Sequence, residues 1–179
     1  MRWLVVSVAL VLAASSAVAA PGIAITQDSD PAVTIGETVI DGDPADVFAE
    51  VSDFRKWAQI MPDVATVEIH SRNGNEAQVT LVSPSGHRDN LHFRNLPASR
   101  AVWFEDTGNG GRADVWAQIT LLPTGQTGST RVHILLYAKI HGVARLVIHE
   151  GRVRNEREQK IAADLTHMRE YFRRRVANN

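Results

Sequence analysis

DPADVFAEVSDFRKWAQIMPDV, residues 43–64, decides how this chain is read. Asp43 is of the type that caps a helix N-terminus, and Pro44 follows at the first helical position, where its missing N–H costs nothing. Asp46 lies in the first turn and suits the helix dipole. Val47, Val51 and Phe54 share one face, with Phe48 beside it. Phe54, Trp57 and Ile60 carry an apolar face through a second short helix, which makes Trp57 a packing residue. Met61-Pro62 ends it, because the residue before a proline avoids the helical region. The stretch predicts two short helices that turn back on themselves.

The neighbouring sequence changes period on both sides. Residues 33–40 are β-branched and strand-like. From Val64 onward the alternation has a period of two. Val67 and Ile69 alternate with Glu68 and His70, and Asn73-Gly74 then signals a hairpin. A further inward face follows at Ala77, Val79 and Leu81, and further strands carry Leu91 and Phe93 and residues 102–104. Val115, Ala117, Ile119 and Leu121 form the next, and Val132, Ile134 and Leu136 the last. The turns between them are short, which forces antiparallel neighbours. A final helix is expected over 143–175, with Ile161, Leu165, Met168 and Phe172 on one face. The result is an α+β chain: a curved antiparallel sheet of about seven strands wrapped around a long C-terminal helix.

A chain of 179 residues suffices for one domain with a core. It has no cysteine, so disulfides and thiol chemistry are excluded. A formal net charge of -1 argues against bulk nucleic-acid binding, which needs a basic surface. Arg2, the apolar run over 4–14 and Ala17-Val18-Ala19 have the form of a signal peptide cut after Ala19. The alternative is an uncleaved membrane anchor. The expected organisation is a signal peptide over 1–19, a linker over 20–32, one ligand-binding domain over 33–175 and a tail over 176–179. The mature protein is then exported, periplasmic or secreted.

The pattern Pro44, Val47-Phe48, Val51, Asp53-Phe54, Trp57, Ile60, Pro62 and Val64 resembles the opening helices of the START-like superfamily. Polyketide cyclase/dehydrase-like and coenzyme Q-binding proteins are among its branches. Leu121-Leu122-Pro123, the glycines after it and Ser129-Thr130-Arg131-Val132 resemble that superfamily's late hairpin. Ile119 stands where many members carry tryptophan. The resemblance spans most of 33–173. It implies a helix-grip fold with a hydrophobic ligand held between the sheet and the terminal helix.

The apolar wall of such a cavity would come from Val79, Leu81, Leu91, Phe93, Phe104, Val115, Ile119, Ile134 and Leu136. Each of these serves equally well as ordinary core. On the terminal helix the stripe continues back through Arg157, Arg154, Glu150 and Leu146, so the face turns charged toward its start. Those charges read either as an internal Glu150–Arg154 pair at a spacing of four or as a polar floor gripping a ligand head group. The seven histidines form no metal motif, and no cofactor fingerprint is present. His92, Glu105 and Asp114 are candidates for acid–base chemistry, although alternation turns His92 and Asp114 outward. Arg173, Arg174 and Arg175 suit a helix C-terminus or a transient contact with an anionic membrane surface. The expectation is an exported binder of a lipid or isoprenoid-like molecule. The alternatives are a cyclase-like enzyme and an interaction module whose cavity is filled.

Overall fold

A computed structural model describes residues 22–108, 110–142 and 150–178. Its strands are β1 (Ile23–Gln27), β2 (Val33–Asp41), β3 (Thr66–Asn73), β4 (Glu76–Val82), β5 (Arg88–Leu96), β6 (Ala101–Asp106), β7 (Ala113–Pro123) and β8 (Ser129–Ile140). The helices are α1 (Pro44–Val51), α2 (Trp57–Ile60) and α3 (Glu150–Ala177), with a 3-10 turn at Phe54–Lys56 leading into α2. One sheet contains all eight strands in the order β1-β2-β8-β7-β6-β5-β4-β3. Every pairing is antiparallel. This is the α+β helix-grip arrangement the sequence predicts, with one strand more.

The extra strand is β1, inside the segment read as a linker. Ile23 and Ile25 alternate with the exposed Ala24 and Thr26, and Ile23 is buried. The Thr38 hydroxyl donates to the Gly22 carbonyl at 2.9 Å. The domain therefore begins before residue 33. The segment 1–19 and the predicted helix start at 143 lie outside the described residues.

Two local expectations change in detail. Asp43 does precede α1, but its carboxylate caps no N–H of that helix. It accepts instead from the Gly128 N–H at 3.1 Å, tying the corner before α1 to the β7–β8 hairpin. In the β3–β4 hairpin, Asn73 pairs with Glu76, so the two central residues are Gly74 and Asn75. Gly74 alone of these takes a positive φ, of 57°, as a turn with glycine in the first central position requires. β3 is an edge strand, and its Ile69 is exposed rather than inward.

The core sits between the sheet and its helices. Trp57 is buried, with its ring edge-on to Phe93 and Phe104 at centroid distances of 4.8 and 5.3 Å. Its indole N–H donates to the Val51 carbonyl at 2.8 Å, satisfying the one polar atom that burial would strand. Ile161, Leu165, Met168 and Phe172 are all buried on α3, as their spacing predicts. α3 crosses β2 at Gly36, where a Cβ would lie 2.1 Å from Ile161 Cγ2. Only glycine lets the helix approach that closely.

Candidate functional site

The concave face of the sheet is built in cross-strand rows. Ala77, Phe93, Phe104, Ala117, Leu136 and Thr34 stand opposite one another from β4 to β2. Val102, Ile119 and Ile134 form the next row on one side. Val79 opposite Leu91, and Leu91 opposite Asp106, lie on the other.

The predicted wall residues divide into two groups. Val79, Leu91, Phe93, Ile119 and Ile134 are buried and belong to the continuous core under the helices. Leu81, Phe104 and Leu136 are half-buried against that core, and Val115 is half-buried as well. These four lie toward one end of the concave face. α3 buries no residue over 150–156, and its first buried side chain is Arg157. Among the described residues, this end of the face is less fully covered than the rest.

The charged stripe also divides. Leu146 lies outside the described residues. Glu150 and Arg154 are exposed, and Arg154 is 3.9 Å from Glu158 rather than paired with Glu150. Arg157 is 4% exposed. Its Nε donates to Thr34 Oγ1 at 3.0 Å, and its terminal nitrogens donate to the carbonyls of Ala138 at 3.0 Å and Pro31 at 2.6 Å. Burial pulls its pKa down, partly offset by the charges of Glu150 and Glu158. This guanidinium secures α3 to the sheet, and its bonds are made within the protein.

The acid–base candidates read from the sequence sit on the other side of the sheet. His92 is 3.4 Å from Glu105 and 3.6 Å from Glu76, beside Trp103 and Arg94 on the convex face. Asp114 is exposed and meets His141 at 2.8 Å. Arg175 contacts Glu50 at 2.5 Å.

Sequence reasoning missed the polar groups of the concave face itself. Asp89 alternates with Leu91 and Phe93 and stands opposite Leu81. Asp106 alternates with Phe104 and stands opposite Leu91. Carrying each period-two pattern one step further finds both. His87 Nε2 lies 3.0 Å from Asp89 Oδ1. Burial pushes the Asp89 carboxyl up and the charges of Asp106 and Asp63 add to this, while His87 opposes them. Lys160 on α3 reaches Asp63 at 3.1 Å and Asp164 at 2.7 Å. Burial raises Asp164 to about 6 in spite of that lysine. Among the described residues, no group of three or more histidine or acidic side chains is arranged to hold a metal.

An apolar concave face gripped by a long helix, with a few polar groups at one end, is a small-molecule binding architecture. Residues 32–173 match the family described as polyketide cyclase / dehydrase and lipid transport, and the chain belongs to that family. Solved structures share the fold at low identity. The Zhui aromatase/cyclase from Streptomyces sp. R1128 superposes with a TM-score of 0.65 at 15% identity, over 80% of this chain and 94% of its own. A STAR-related lipid transfer protein fragment from Xanthomonas axonopodis gives 0.61 at 20% identity, over 86% and 95%. A START superfamily protein from Mycobacterium smegmatis gives 0.60 at 14% identity, over 82% and 97%. No curated protein matches the chain.

Proposed function

We propose that this protein binds a hydrophobic small molecule, lipid or isoprenoid in type, against the half-buried part of the concave face, and carries or holds it outside the cytoplasm. One observation carries the reading. Leu81, Phe104, Val115 and Leu136 share a face with the fully buried Val79, Phe93, Ile119 and Ile134, yet they remain half-buried themselves. An apolar ligand would complete that burial, at about 25 cal/mol per Å² covered. Native mass spectrometry of the exported protein should show a co-purifying apolar adduct, or uptake of an added apolar probe. A protein that carries none and takes up none would sink the reading.

Export rests on the apolar run ending at Ala17-Val18-Ala19 and on β1 beginning at Ile23, close behind the expected cut. N-terminal sequencing of the exported form should begin at Ala20. An intact Met1 in a membrane pellet would instead mean an anchor. A transient membrane contact would fall to Arg173 and Arg174, which are exposed, since Arg175 pairs with Glu50. Sedimentation with anionic vesicles should weaken in the double Arg173→Glu, Arg174→Glu variant.

A cyclase-like reaction is the second reading, and the His87–Asp89 contact favours it. A histidine held by a carboxylate is a usable general base. Turnover of a polyketide-like substrate that disappears in His87→Gln would support it.

A further inference from the structure

The face of the sheet turned away from the helices carries three half-buried aromatic side chains. The alternation that sends Phe104, Ala117 and Leu136 to the concave side sends Trp103, Trp116 and Tyr137 to the convex one. They stand on the neighbouring strands β6, β7 and β8. Trp116 and Tyr137 stack, with ring centroids 5.3 Å apart and planes 15° from parallel. Trp103 lies diagonally across from Trp116, about 8 Å away by the spacing of such pairs. Gln118, Leu135 and Ile35 complete its row. All three rings lie outside the core. The indole N–H of the buried Trp57 bonds the Val51 carbonyl. Those of Trp103 and Trp116, and the Tyr137 hydroxyl, have no partner among the described residues. The charges around the rings answer one another. Arg94 bonds Glu76 at 2.9 Å, His92 lies 3.4 Å from Glu105, and His141 meets Asp114 at 2.8 Å. The patch therefore offers tryptophan and tyrosine, the side chains that carry most binding energy at interfaces, together with hydrogen-bond donors, and asks for no charge.

Size and donors select the occupant. Four strand widths by two rows of side chains cover about 250 Å². A stable dimer buries roughly 800 Å² per partner, so a second copy of this chain fits poorly and a short extended segment fits well. The carboxylates of Glu76, Glu105 and Asp114 border the rings and disfavour an anionic bilayer. We propose that the convex face binds a proline-rich segment of a partner protein in the polyproline II conformation. Such a segment has carbonyls with no internal partner, and its prolines have no N–H, so it accepts without donating. It turns every three residues at 3.1 Å each, about 9 Å per turn, close to the Trp103–Trp116 spacing. One proline ring packs at Trp103 and the next on the same side packs at the Trp116–Tyr137 pair, while carbonyls accept from the three donors. The preformed conformation keeps the ordering cost of binding low.

The test titrates the full chain by calorimetry with decaproline and with a ten-residue glycine–serine peptide as the flexible control. Decaproline should bind about tenfold or more tightly than the control. Trp116→Ala should weaken decaproline about tenfold or more, as truncating a central interface tryptophan does. Trp103→Phe and Trp116→Phe each keep an aromatic ring, remove one donor and should weaken decaproline severalfold. Melting curves identify the variants that stay folded, and the phenylalanine variants carry the test if the alanine variant does not fold. Decaproline that binds no better than the control, or that binds the folded tryptophan variants as it binds wild type, overturns the proposal. Sedimentation with neutral phosphatidylcholine vesicles that disappears in a folded Trp116 variant would assign the patch to a bilayer instead. Self-association that disappears in the same variant would assign it to a second copy, and either result overturns the proposal as well.

Discussion

Arg157 Nε and Thr34 Oγ1, 3.0 Å apart and buried, join the N-terminal part of α3 to the second strand of the sheet. The same guanidinium bonds the carbonyl of Pro31 before β2 and that of Ala138 on β8. One side chain thus fixes the helix across two adjacent strands. Arg157→Gln should destabilise the fold by about 2 kcal/mol or more, because bonds from a charged donor are lost and buried acceptors are left unpaired. Thr34→Val should couple to it by about 0.5–3 kcal/mol in a double-mutant cycle measured by urea denaturation. Additive losses would show that the two residues act independently.

Glu50 predicts the acid side of the stability profile. Its carboxylate is buried and contacts Lys56 at 2.5 Å, Tyr171 at 2.9 Å and Arg175 at 2.5 Å. Burial alone would raise its pKa, but those three partners outweigh it and hold the carboxyl below 4.5. A depressed carboxylate contributes stability above its unfolded value, and that contribution fades as pH falls through the folded one. Glu50→Gln should therefore be less stable than wild type at neutral pH, with the gap narrowing below about 4.5. Urea melts at stepped pH read this directly. A gap that stays constant into acid would mean that the carboxylate charge plays no part.

Gly36 sets how closely α3 lies on the sheet. A Cβ there would sit 2.1 Å from Ile161 Cγ2 and 3.0 Å from Leu165 Cδ1. Both neighbours are buried and cannot swing away. Gly36→Ala should cost about 1–3 kcal/mol by overpacking, and the companion Ile161→Val should recover part of it. Thermal melts of the single and double variants test this. An unshifted Gly36→Ala melt would mean that the helix rides farther from β2.

The fold was legible because its signals are local and agree with one another. Pro44, the face through Val47, Val51 and Phe54, and Met61-Pro62 place the two short helices. Strict alternation from Val115 to Leu121 places β7. β1 escaped because five residues with two inward isoleucines look like a linker, and its partner β2 is what makes it a strand. The site was harder to read for a different reason. Helical periodicity put Arg157 on the inward face, and that is correct, but no pattern on α3 reveals that Pro31 and Ala138 supply its acceptors. Asp89 and Asp106 were within reach of the same alternation that found Leu91 and Phe104. Aspartate near a strand end reads as a turn residue unless the period is carried through it.

The division of the concave face into core and wall makes the last prediction. Ile119 is 1% exposed and meets Ile134 across β7 and β8, inside the continuous core. Leu136 lies one inward position further along β8 and is only half-buried. Ile119→Ala should cost about 2–5 kcal/mol, since a buried cavity cannot refill. Leu136→Ala should cost clearly less, because that side chain is only half-buried and loses less on truncation. Its effect should fall on binding instead, as the enlarged face accepts broader apolar probes and holds slim ones more weakly. Melting curves and probe titrations on the two variants separate these outcomes. Equal losses of stability, with no change in probe preference, would place Leu136 in the core and leave the concave face without room for a ligand.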